Sequence, residues 1–136
     1  MTPRKVILDT NLWISFLISD KFQQIDKYLL NDKIKLIFSK ELLDEFIEVA
    51  LRPKFSKYFK SQDIEALLRN FDKFGQLVKV ETNVHICRDA KDNFLLNLAL
   101  DSKADYLVTG DADLLDLKTI GQTQIITMTE FVKIRQ

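Results

Sequence analysis

The residues of this chain best placed to do chemistry are carboxylates. Asp9 follows the apolar run Val6-Ile7-Leu8, and Asp111 follows Tyr106-Leu107-Val108 after Thr109-Gly110. Asp92, with Asp89 ahead of it, opens an apolar helical stretch, and Glu45 lies in the helix that follows Lys35-Leu36-Ile37-Phe38. Carboxylates gathered in one crevice repel one another and take up protons unless a cation neutralises them. Mg²⁺ and Mn²⁺ favour such oxygen ligands. A divalent ion held this way acidifies bound water and stabilises the charge of a phosphoryl transition state. The reaction these residues suit is phosphodiester hydrolysis by metal-activated water. No His, Cys or Lys is placed to offer a protein nucleophile instead. With His85 and Cys87 as the only soft ligand types, a zinc site is disfavoured.

Each acid also has an ordinary explanation. Asp9 ends a buried strand, where an unpaired acid is costly, and this weighs toward function. Asp111, in Gly110-Asp111-Ala112-Asp113, is also a good turn or capping residue. Asp89 and Asp92 have the spacing of N-cap and N3 acids that stabilise a helix start. Glu45 borders the apolar stripe of its helix near Val49, while Asp44 borders the opposite edge near Leu51, so helical spacing does not choose between them.

What brings these acids together is the order of the elements. Val6–Leu8, Lys35–Phe38, Leu77–Val80, Tyr106–Val108 and Gln124–Thr127 are expected as strands. Helical spacing predicts helices over Leu12–Ile18, Phe22–Leu30, the stretch capped by Ser39 and ended by Pro53, Gln62–Phe74 ahead of Gly75, and the stretch opened by Asp89. Thr129 is expected to cap a last short helix. Strands alternating with helices call for a mostly parallel sheet with helices on both faces. In such a sheet ligands bind at the carboxyl ends of the strands. Asp9 and Asp111 follow strands directly, and Glu45 and Asp92 lie early in helices that begin at that edge. All four are therefore expected at one edge of the sheet.

The chain has 136 residues, enough for one domain over 1–136 with a real core. Its formal net charge is zero, which argues against a general basic coat for nucleic acid, so any RNA contact must be local. No apolar run reaches transmembrane length, and Met1-Thr2-Pro3-Arg4-Lys5 leads straight into a strand without a signal-peptide cleavage site. A cytoplasmic protein without membrane contact is expected.

Taken together, the segments resemble a known family. Val6-Ile7-Leu8-Asp9-Thr10-Asn11 resembles the opening motif of PIN-domain nucleases, and Glu45 within Glu41-Leu42-Leu43-Asp44-Glu45-Phe46 looks like their second acid. Arg88-Asp89-Ala90-Lys91-Asp92-Asn93 resembles the third motif, and Leu107-Val108-Thr109-Gly110-Asp111-Ala112-Asp113 the fourth. The match is nearest to the small stand-alone members classed as toxins of toxin–antitoxin pairs. Ala90 departs from it where proline is expected, but alanine suits a helix start. The resemblance implies a three-layer α/β/α fold around a mostly parallel sheet of five strands. It implies Mg²⁺- or Mn²⁺-dependent cleavage of single-stranded RNA. It carries catalytic and metal-binding roles onto Asp9, Glu45, Asp92 and Asp111. Asp89 and Asp113 become accessory acids, and Asn11 and Thr109 become groups that orient carboxylates or water. It also implies a cognate antitoxin and self-association.

Other classes fit less well. A haloacid-dehalogenase-type phosphotransferase needs a second Asp where Asn11 stands, and a phospho-receiver domain needs adjacent early acids and a late lysine. An RNA-processing nuclease shares the same centre, and a non-catalytic RNA- or protein-binding module is the remaining alternative. For RNA contact the chain offers Arg52, Lys54, Lys57 and Lys60, interleaved with Phe55, Tyr58 and Phe59. Cations neutralise phosphates and rings stack on unpaired bases. The plainer reading is a helix connection whose rings pack into the core.

Overall fold

The computed structural model describes residues 4–18, 34–58, 61–69 and 75–135. Along the chain these form β1 (Arg4–Leu8), α1 (Thr10–Ile18), β2 (Ile34–Phe38), α2 (Lys40–Ala50), a 3₁₀ turn (Pro53–Phe55), α3 (Ser61–Arg69) and β3 (Gly75–Leu77). They continue as α4 (Ala90–Ser102), β4 (Tyr106–Val108), α5 (Ala112–Leu115), β5 (Thr119–Ile120), β6 (Thr123–Ile126) and α6 (Met128–Arg135). The strands form one sheet in the order β3-β2-β1-β4-β6-β5, parallel throughout except for β5. The helices flank this sheet, as the alternating pattern requires.

The register at the centre sets the position of the site. Leu8 pairs with Val108 across the β1–β4 ladder, so Asp9 and Thr109 emerge side by side at the carboxyl edge. The Asp9 N–H continues the ladder to the Val108 carbonyl at 3.1 Å. From β1 the chain winds outward through β2 to β3, then crosses back to place β4 on the other side of β1. The strand order thus reverses between β1 and β4, where open α/β sheets form their ligand crevice.

The sequence explains the core. Val6, Ile7, Leu107 and Val108 are fully buried, as strands covered on both faces demand. Trp13 of α1 lies against Phe38 and Phe46, with ring centroids 6.4 and 6.1 Å away, and so joins α1 to β2 and α2. Ser39 caps α2 as expected, its hydroxyl accepting from the Leu42 N–H at 3.0 Å.

Several boundaries differ from the sequence reading. The third strand covers Gly75–Leu77, earlier than the Leu77–Val80 run, although the Val78 N–H still reaches the Phe38 carbonyl at 2.8 Å. A sixth strand, β5, forms a two-residue hairpin with β6 through Gly121-Gln122, where Gly121 has φ of +57°. Ile120-Gly121-Gln122-Thr123 carries this signal, since glycine at the first loop position suits a two-residue hairpin. Thr127, not Thr129, caps α6. The Thr127 hydroxyl accepts from the Glu130 N–H, and the Glu130 carboxylate accepts from the Thr127 N–H, a reciprocal capping box. The expected helix over Phe22–Leu30 lies outside the described residues, as does the end of the one expected over Gln62–Phe74. Among the described residues no helix is long and apolar enough to cross a membrane.

Residues 81–87 run antiparallel along α4 and are held by a polar stripe on that helix. Asn93, Asn97 and Asp101 recur every four residues and so share one helical face. Asn93 Oδ1 accepts from the N–H groups of Ile86 (3.0 Å) and Cys87 (2.8 Å), and its Nδ2 donates to the Cys87 carbonyl at 2.9 Å. Asn97 Oδ1 accepts from the Val84 N–H at 2.8 Å. Asp101 accepts from the Thr82 hydroxyl and from the N–H groups of Thr82 and Glu81. The Thr82 hydroxyl first, then these N–H groups, hold the Asp101 carboxyl below the usual carboxylate range. The stripe satisfies backbone groups that have no sheet partner, and it leads the chain to Asp89. Asn93→Ala removes three of these bonds, each worth about 1 kcal/mol net. It is expected to cost about 2–4 kcal/mol in urea denaturation; a loss below about 0.5 kcal/mol would show that the stripe is dispensable.

Candidate active site

The crevice at the β1/β4 switch point is a cleft of roughly 450 Å³ lined by Asp9, Glu45, Asp89, Asp92 and Asp111 among other residues. All four acids expected at one sheet edge line this single cleft. Asn11 lines it too. Thr109 is fully buried behind Asp9. Asp113 is exposed beside Asp111.

Helix starts hold three of the aspartates. One oxygen of Asp9 accepts from the Asn11 N–H at 3.3 Å, one of Asp89 from the Lys91 N–H at 2.9 Å, and one of Asp111 from the Asp113 N–H at 2.8 Å. Each therefore caps the helix that follows it, satisfying an N–H group that has no partner within the helix. The second oxygen of Asp9 accepts from the Thr109 hydroxyl at 3.0 Å, and the same hydroxyl accepts from the Asp111 N–H at 3.1 Å. Thr109 thereby couples the acids at the ends of β1 and β4.

The tightest grouping is Asp92, Asp111 and Asp113, with one oxygen from each lying within 4.8 Å of the others. Asp113, an accessory acid by its motif, thus stands in one group with Asp92 and Asp111. Asp92 is 6% exposed, and no side-chain donor offsets its burial among the described hydrogen bonds. Burial first, then the charges of Asp111, Asp89, Asp9 and Asp113, push its pKa up from 3.8 to about 6. Such a donor set, all oxygen and short of positive charge, fits a hard divalent cation.

Glu45 lines the same cleft outside this group. Its carboxylate accepts from the buried Thr10 hydroxyl at 3.4 Å and pairs with the Lys91 ammonium at 3.6 Å. Asp44, which helical spacing left equally eligible, is exposed and takes no part in the lining. Among the described residues of the basic segment, only Arg52 lines the cleft. Lys54 and Lys57 are exposed beside the rings of Phe55 and Tyr58, and Lys60 lies outside the described residues. Phe55 is partly buried against the core, so at least this ring packs.

Sequence reasoning overlooked Thr10, Lys91 and Phe94 in the cleft lining. Lys91 stands between two of the motif acids, and that position was its only signal. It does bring a lysine to the cleft, against the expectation from sequence, but Glu45 occupies its ammonium. Burial, and then the charges of Asp92, Asp113, Asp111 and Asp89, raise the Cys87 thiol above its ordinary pKa, which disfavours the nucleophilic thiolate.

A family model described as the PIN domain matches residues 5–113. The chain belongs to the PIN-domain family. An uncharacterized protein of Methanocaldococcus jannaschii, MJ1680, is 35% identical over 117 residues, covering 84% of this chain and 75% of that protein. The PIN fold is also that of VapBC2 from Rickettsia felis, solved bound to a DNA fragment from their promoter. That match has a TM-score of 0.58 at 15% identity and covers 90% of this chain and 98% of the other. The PIN domain endonuclease Utp24 matches with a TM-score of 0.56 at 18% identity, over 94% of this chain and 87% of the other. PIN domains are generally nucleases, and the acid cluster of this one suits the divalent ions such enzymes use.

The raised Asp92 pKa has a definite sign in stability. A carboxyl whose pKa is higher folded than unfolded stabilises the fold while it is protonated, and the gain is lost as pH rises from about 4 through about 6. The full change is on the order of 3 kcal/mol. In chelator, the PIN domain is expected to lose stability across that window, and Asp92→Asn to flatten the profile and be the more stable protein at pH 7. A wild-type profile that rises over the same range would contradict this electrostatic account.

Proposed function

We propose that this PIN domain is an endoribonuclease that hydrolyses phosphodiester bonds of single-stranded RNA with Mg²⁺ or Mn²⁺. The observation that carries the reading is the convergence of Asp9, Glu45, Asp92 and Asp111 on one cleft at the sheet's switch point. Asp92 and Asp111 are the core of the proposed metal set, with Asp9 and Glu45 completing it and Asp113 assisting. A divalent ion bound there would neutralise the carboxylates and acidify a water molecule. Thr109 orients Asp9 through its hydroxyl, and Asn11 contributes a backbone N–H to the same carboxylate. Glu45, held by Thr10 and Lys91, brings the fourth carboxylate of the metal set from α2, and the proton of the attacking water passes to solvent in the open cleft. The water oxygen then bonds to phosphorus as the bond to the leaving ribose oxygen breaks. Arg52, which also pairs with Glu48 at 3.7 Å, lines the cleft wall and can neutralise phosphate, and the exposed Lys54 and Lys57 offer further cations on the same segment.

A toxin role within this chemistry is supported by the likeness to VapBC2 and by motifs resembling those of small stand-alone toxins. On that reading the partner is a cognate antitoxin, and the protein self-associates. Co-expression with the product of the adjacent reading frame is expected to yield a complex that survives affinity purification and suppresses cleavage. Recovery of the nuclease alone would instead favour an RNA-processing role.

For the chemistry itself, purified protein is expected to cut single-stranded RNA only with divalent metal. Asp9→Asn should lower the rate by at least about a hundred-fold while the domain stays folded. Mn²⁺ should raise the melting temperature, because a ligand that binds only the native state at a hundred times its dissociation constant adds about 2.7 kcal/mol. Cleavage that persists in chelator, or full activity in Asp9→Asn, would overturn the mechanism.

A further inference from the structure

The cleft has a second, apolar half that the carboxylate chemistry does not use. Beside the acids it is lined by Leu42 and Val49 of α2 and by Phe94, Leu95 and Leu98 of α4. The aliphatic side chains are buried, between 1% and 8% exposed, but Phe94 stands 55% exposed. Phe94 lies one helical turn past Lys91, and both line the same cleft as Asp92. Arg52, just past the end of α2 and paired with Glu48 at 3.7 Å, lines the same cleft. Acids, an exposed ring over an apolar floor, and a cation thus share one continuous cavity.

We propose that Phe94 is a specificity-determining residue that stacks on the nucleobase next to the scissile phosphate, with Arg52 neutralising a neighbouring phosphate. The proposal rests on the ribonuclease reading and adds the subsite that grips the substrate. An unpaired base has two apolar faces, and an exposed aromatic ring on an apolar floor matches one of them. The committed occupant is a nucleotide because the ring and the carboxylates line one cleft. A single strand with a phosphate at the carboxylates can lay a neighbouring base in the half of the cleft that Phe94 lines. A paired strand keeps its bases stacked on one another, so this subsite also selects for single strands.

The test uses a short single-stranded RNA whose cleavage site has been mapped with wild-type protein. Versions of it carry an abasic residue on either side of the cut. Phe94→Ala is expected to lower kcat/KM for the intact RNA by about ten-fold or more, mainly through KM, and Phe94→Trp to restore it. At one of the two flanking positions, abasic RNA should be cut by wild type as poorly as intact RNA is cut by Phe94→Ala, with no further loss when the two are combined. The melting temperature of each variant, with and without Mn²⁺, checks fold and metal binding independently of activity. Equal kinetics for wild type and Phe94→Ala, or losses that simply multiply with every abasic RNA, would overturn the subsite while leaving the nuclease reading intact. A wild-type protein that neither cuts nor binds RNA would overturn both.

Discussion

Like charges crowded at the end of a buried sheet repel, and the carboxyl edge of this protein is organised around that repulsion. Three aspartates there each give one oxygen to the first N–H groups of the helix that follows, so the charge that strains the site also starts the surrounding helices. Thr109 adds a hydroxyl shared between the ends of the two central strands. What the backbone leaves uncompensated gathers on Asp92, which holds its proton up to about pH 6. Capping and catalysis are usually weighed as rival explanations for an aspartate after a strand. Here one carboxylate has two oxygens, and only one of them is used by the cap.

The same arithmetic separates what could be read from the sequence from what could not. Asp9 and Asp111 were legible because a buried strand announces itself as a short apolar run, and the next acid must lie at its end. Parallel topology then placed Glu45 and Asp92 at the same edge. The choice of Glu45 over Asp44 was not legible from spacing, because both border one helical stripe. In the fold it is Glu45 that lines the cleft, held by the Thr10 hydroxyl and the Lys91 ammonium, which are remote in sequence. The hairpin strand β5 was missed because two residues are too few to show alternation. The stripe of Asn93, Asn97 and Asp101 is visible in the four-residue spacing, but the segment it holds has no strand or helix pattern to announce it.

The two halves of the cleft have different origins. Its acidic half is built from chain ends of strands and starts of helices, which the fold brings together whatever the surrounding sequence. Its apolar half is built from side chains one or two turns further along α2 and α4, where nothing in the topology dictates residue type. Low identity to VapBC2 and Utp24, at 15% and 18%, alongside TM-scores of 0.58 and 0.56, fits a frame set by geometry with walls free to vary.

The polar stripe on α4 also decides how the domain can open. Residues 81–87 take no part in the sheet, and the described side-chain bonds along them run to the helix they lie on. A segment anchored at three successive turns cannot fray residue by residue without exposing the amides of Asn93 and Asn97 and the carboxylate of Asp101 in turn. Segment and helix therefore form one cooperative unit, protected from solvent exchange together. Asp89 and Asp92 ride on its leading end, so local fluctuations that reach these acids must carry the free energy of the whole unit rather than that of a loop.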